Sequence, residues 1–140
     1  MSRFATITAV LAAFTLCAAA ADNKVIKRVT VSPTSPISGQ QMFNEYCIAC
    51  HGKMAKGDGP AASALKKTPA DLTTLAARNN GKFPELRIYA TIQGDGDLSA
   101  HGSRDMPIWG SVFQDMSHSN GEAQMRISNL VAYVKTIQVK

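Results

Sequence analysis

The chain has 140 residues, with 15 Lys and Arg against 10 Asp and Glu, a formal net charge of +5. The first 21 residues hold 16 apolar ones, while the other 119 hold 47, together with all ten glycines and all six prolines. A small loop-rich domain, lean in core material, fits these numbers; a multidomain enzyme or a membrane bundle does not.

Residues 1–21 read as an export signal. Arg3 supplies a positive start, and Phe4 to Leu16 is an apolar stretch of 13 residues broken only by threonines. The small residues Ala18, Ala19, Ala20 and Ala21 precede Asp22 as a cleavage site would require. A membrane helix needs about 20 residues, so no stable membrane insertion is expected after cleavage. Leu16 stands before Cys17 where a lipoprotein would carry a small residue. Cleavage near Ala21 removes Cys17, leaves Cys47 and Cys50, and implies a periplasmic protein. The modest positive charge suits acidic protein partners. There is no dense basic run with interleaved aromatics, so nucleic acid is not an expected partner.

Residues 22–37 are expected to be a tail or linker, interrupted by Pro33 and Pro36. The main domain is expected over 38–140. Ser38 can cap a helix over 38–51 that places Met42, Phe43, Tyr46 and Cys47 at helical spacing. Residues 52–60 form a loop with three glycines, and one or two helical turns follow, up to Lys67. Pro69 opens a further helical segment, with Asp71 in its first turn and Gly81 past its end. Pro84 opens another that runs to Gly94. Residues 94–120 look irregular. A stripe of Ile127, Leu130, Val131, Val134 and Ile137 marks a last helix from about Glu122 to Gln138. The fold class is all-α, with short helices joined by long loops, and long ordered loops are usually functional.

Cys47-Ile48-Ala49-Cys50-His51 matches the attachment motif for c-type haem. Helix positions i, i+3 and i+4 share one face. Both thiols can therefore form thioethers to one edge of a porphyrin, and His51 can give a nitrogen to the iron beneath it. A structural disulfide would leave the adjacent His unexplained. A zinc site would need four ligands and would have to recruit His101 or His118. A thioredoxin-like pair expects a βαβ setting, which the pattern lacks.

With these residues the sequence resembles the class I monohaem cytochromes c, over residues 38–140. Four features carry the likeness: the Cys47–His51 motif, the loop Gly57-Asp58-Gly59-Pro60, the segment Asp105-Met106-Pro107-Ile108-Trp109-Gly110, and a pair of terminal helices. The resemblance implies the cytochrome c fold wrapped round one covalent haem c. It implies that the terminal helices cross, with Gly39 and Phe43 against Leu130 and Tyr133. It further implies that the Pro60 carbonyl accepts the proximal His51 N–H, a bond that orients the imidazole.

A sixth, methionine ligand would raise the reduction potential. Met42 and Met54 lie too near His51 in sequence to reach the opposite face, and Met125 belongs to the last helix. Met106 is favoured over Met116 and His101. It follows His51 by 55 residues, and Pro107 biases it towards extended backbone. Trp109, the single Trp, is expected either to bond a haem propionate or to fill the core. His118 is expected on the surface.

A six-coordinate haem has no place for substrate. The expected function is thus not catalysis but electron transfer in the periplasm, one haem cycling between Fe(III) and Fe(II) with protein donors and acceptors. Lys53, Lys56, Lys66 and Lys67 would contribute to a docking rim. The alternative is a dedicated haem c subunit of a dehydrogenase or oxidase complex. A haem enzyme or gas sensor with an open iron site is the third reading, and it finds no distal acid–base pair in the sequence.

Overall fold

The computed structural model describes residues 33–95 and 106–139. The signal segment, Cys17, the start of the tail and His101 lie outside the described residues. Among the described residues every regular element is helical. Four helices form the frame: α1 (residues 39–51), α2 (Glu85–Gln93), α3 (Trp109–Met116) and α4 (Asn120–Thr136). None of the described helices is long and apolar enough to cross a membrane.

Helix α1 starts as the sequence predicts, with the Ser38 hydroxyl accepting from the Gln41 N–H at 3.2 Å. It is not a plain α-helix, however. Phe43–Cys47 is a π-turn between two α segments, with the Ile48 N–H bonded back to the Phe43 carbonyl. Such turns are uncommon and concentrate at functional sites. Here it lies directly before the Cys-x-x-Cys-His residues.

The apolar stripe of α4 is buried as expected, with Ile127, Leu130, Val131 and Val134 in the core. The helix begins earlier than predicted, because Ser119 caps it by accepting from the Glu122 N–H at 3.2 Å. The crossing with α1 is intimate. A Cβ on Gly39 would collide with the Asn129 carbonyl and the Tyr133 Cβ, so only glycine lets the two backbones approach this closely. Phe43 meets the Tyr133 ring one turn further along, at 5.4 Å between centroids.

Two expectations are corrected. Helix α3 occupies part of the stretch 94–120 read as irregular; Gly110 and Ser111 mask a pattern in which Phe113 is fully buried and Trp109 packs beside it. The segment opened by Pro69 is two 3₁₀ turns, Leu72–Thr74 and Ala77–Asn79, rather than one helix. Thr34 is buried, Arg126 donates to its carbonyl at 2.9 Å, and the Asn129 side chain donates to the Pro36 carbonyl at 2.9 Å. Thr34 and Pro36, at the end of the expected tail, thus pack on α4.

Candidate functional site

The end of α1 is where Cys47, Cys50 and His51 stand. A helix leaves its last carbonyls without partners, and here the glycine-rich loop supplies them. The N–H groups of Ala61, Gly59 and Gly57 donate to the carbonyls of Ala49, Cys50 and His51 at 2.8, 3.1 and 2.8 Å. A side chain on Gly59 would run into the carbonyls of Ile48 and Ala49. The three glycines noted in the sequence thus let the loop fold back on the helix and fix the backbone of the motif.

A cavity of about 410 Å³ opens beside this helix end. Phe43, Tyr46, Cys47, Cys50 and His51 line it from α1, so the i, i+3, i+4 face expected for the motif survives the π-turn. The opposite parts of the lining come from Leu65 to Leu75, from Ile88, Thr91 and Ile92 on α2, from Met106, Pro107 and Trp109, and from Leu130 and Val134 on α4. The lining is overwhelmingly apolar. Both thiols are free and half-buried. Burial, and secondarily the neighbouring Cys50, pushes the Cys47 thiol up to about 12, so in this closed environment it stays neutral.

The His51 Nδ1 lies 3.0 Å from the Ala70 carbonyl. A carbonyl only accepts, so Nδ1 carries the proton and Nε2 keeps a lone pair for a metal. Burial holds the imidazole pKa below its usual value, with the Ala70 bond opposing. Burial favours the neutral form, and the Ala70 bond orients the ring. This corrects one expectation: the carbonyl that meets His51 belongs to Ala70, following Pro69, and not to Pro60. Pro60 is exposed and lies between Gly59 and Ala61, whose N–H groups bond the end of α1.

Of the methionines, Met106 lines the cavity; Met42 is buried in the core, Met54 is 68% exposed, and Met116 is half-buried away from the lining. Trp109 lines the cavity and also stacks on Tyr46, with centroids 5.4 Å apart and planes at 29°. Of the two roles expected for it, packing is visible. His118 is exposed as expected. Lys53, Lys56, Lys66 and Lys67 are exposed, and Lys67 reaches the cavity lining as well.

The wall formed by Leu72 and Leu75 has a support that sequence reading missed. The Gln138 side chain, just past α4, donates to the Leu72 carbonyl at 2.7 Å and accepts from the Ala76 N–H at 2.9 Å. The Val139 N–H donates to the Thr73 carbonyl at 2.9 Å. A lone Gln near a C-terminus gives no sequence signal for such a task.

The donor set and the cavity fit a haem: two thiols and an imidazole from one helix face, a thioether from a distant segment, and apolar walls between them. Among the described residues no cluster of three or more His, Cys, Asp or Glu offers a site for a bare metal ion instead. Against protein families, residues 35–120 match the family described as cytochrome c oxidase, cbb3-type, subunit III. No curated protein and no solved structure matches the chain. The family is one of c-type cytochrome domains, its match covers more than half of the chain, and the chain belongs to it.

Proposed function

We propose that this protein carries one haem c, bound through thioethers at Cys47 and Cys50, and transfers single electrons between protein partners in the periplasm. The observation that carries the reading is the shared cavity: Cys47, Cys50, His51 and Met106 all line it, and nearly everything else there is apolar. The bound haem supplies a one-electron Fe(III)/Fe(II) couple. The chain's part is to hold and shield it. The Ala70 carbonyl keeps the His51 ring oriented with Nε2 free to bind iron. Met106 would supply a thioether sulfur as the second protein ligand beside the His51 nitrogen; two protein ligands would leave no position for a substrate, so the reading is of a carrier and not an enzyme. The aromatic and aliphatic walls exclude water and lower the local dielectric, which favours the less charged, reduced centre.

The test is spectroscopy of the exported protein. A c-type pyridine haemochrome is expected, together with a thioether–Fe(III) charge-transfer band that disappears in Met106→Ala. Persistence of that band in the variant would move the ligand to Met116, and its absence from the wild type would sink methionine ligation.

The family's description favours a second reading of the partner. Its name is that of an oxidase subunit, so this chain is equally suited to serve as the haem c subunit of a terminal oxidase, with Lys53, Lys56, Lys66 and Lys67 at the contact. Size-exclusion chromatography of native extract separates the two: a free monomer at physiological salt supports the mobile carrier, and co-elution with an oxidase supports the subunit.

A further inference from the structure

Arg126 is 3% exposed in the middle of α4, yet it does not line the cavity. A buried guanidinium is costly, and well-packed apolar side chains often serve stability as well or better. Its contacts give it a use that an apolar residue would not have. Nη2 pairs with the Glu122 carboxylate at 2.9 Å. Nη1 donates to the Thr34 carbonyl at 2.9 Å and to the Thr34 hydroxyl at 3.3 Å. Thr34 is thereby gripped at both its backbone and its side chain.

The same Thr34 hydroxyl bonds the Tyr46 hydroxyl at 2.9 Å, in a contact buried from solvent. Tyr46 is the residue before Cys47 and its ring lines the cavity. Trp109 stacks on that ring, and Phe113 packs against both at 5.6 to 5.7 Å. Trp109 opens α3 and stands three residues after Met106, which enters the cavity from the same short segment. A continuous series of contacts thus runs from the guanidinium through Thr34 and Tyr46 to Trp109, beside the methionine.

We propose that Arg126 is a positioning residue for the sixth iron ligand: through Thr34 it fixes Tyr46, and through Tyr46 it anchors the Trp109 end of the segment that presents Met106. This rests on the reading of Met106 as ligand. The chain spends a buried charge to hold a segment, Met106 to Ile108, that regular structure does not hold.

The test uses the exported Fe(III) holoprotein and measures the rate at which cyanide displaces the sixth ligand, followed by loss of the thioether–iron band. Thr34→Val keeps the shape of the side chain and removes the shared hydroxyl, while Tyr46→Phe keeps the ring. Each is expected to speed displacement about fivefold, the scale of one lost buried hydrogen bond. The double variant is expected to be little faster than either single one, since both break the same link. Arg126→Met is expected to exceed them if it folds, and Arg126→Lys to restore part of the slow rate. Variants that melt at lower temperature but exchange at the wild-type rate would overturn the proposal and reduce the network to a structural one. A wild type that lacks the band would remove both the ligand reading and this inference; a band present with unchanged rates removes the inference alone.

Discussion

Single side chains do their work here by closing small gaps in backbone hydrogen bonding. Asp71 is a case away from the motif. Its Oδ1 accepts from the Thr73 hydroxyl at 2.6 Å and the Thr73 N–H at 2.8 Å, capping the 3₁₀ turn that starts the Leu72–Leu75 wall. The Thr73 hydroxyl is the main reason its carboxyl titrates below its usual value, with the Thr73 N–H, Arg78 and Lys56 adding to the effect and burial opposing it. A carboxyl that binds protons less readily folded than unfolded stabilises above its unfolded pKa of about 3.9, and that contribution is lost as pH falls through the lower, folded value. Asp71→Ala is expected to cost about 1 kcal/mol at pH 7. The gap between variant and wild type should narrow at pH 3 in denaturant titrations. The residue scale also shows what a sequence can and cannot reveal. Cys47, Cys50 and His51 are adjacent in sequence, so their chemistry can be read directly. The partner of His51 could not be, because Pro60 and Pro69 both follow the motif, and only the path of the intervening loop shows which carbonyl reaches the ring.

Elements were legible where an apolar pattern or flanking Pro and Gly mark them, as in α4 from its stripe, though not its Ser119 cap, and in α2 between Pro84 and Gly94. They were obscured where tertiary contacts override weak local preference. Gly110 and Ser111 are poor helix formers, yet α3 exists because Phe113 and Trp109 gain a buried aromatic cluster with Tyr46. The π-turn in α1 is likewise invisible to periodicity, since Phe43, Tyr46, Cys47, Cys50 and His51 stay at helical spacing across it. Between elements, Gln138 joins the end of α4 to the 3₁₀ wall and also donates to the Val134 carbonyl at 2.8 Å. Its three bonds are partly buried, in contrast to the exposed Lys135–Glu85 pair between α4 and α2. Gln138→Ala is expected to lower stability by about 1–3 kcal/mol, by leaving the Ala76 N–H and the Leu72 carbonyl unpaired. Lys135→Met should change it by less than about 0.5 kcal/mol. Urea unfolding of the two variants side by side checks the contrast.

Over the whole molecule, the lean core of the opening composition has a location. The 410 Å³ cavity is lined by apolar side chains from α1, α2, α4, the 3₁₀ wall and the Met106–Trp109 segment. Side chains facing such a space lose dispersion contacts across it, so the chain without its group is expected to be loose. A Cys47→Ala/Cys50→Ala double variant purified without haem should lack a cooperative thermal transition and near-ultraviolet dichroism; a sharp, native-like melt would count against haem as the missing core.

The grip of α4 on the first residues of the domain bears on the order of assembly. Thr34 and Arg126 are 92 residues apart, and Gly39 needs the backbone at Asn129 to complete its contact. A chain emerging from its N-terminus therefore delivers the Cys-x-x-Cys-His stretch long before it delivers the helix that closes over it. During that interval the two thiols stay outside the apolar surroundings that later hold Cys47 neutral. The topology thus leaves a period in which the thiols of the motif are accessible before the fold closes, and makes the last helix to arrive the one that ends it.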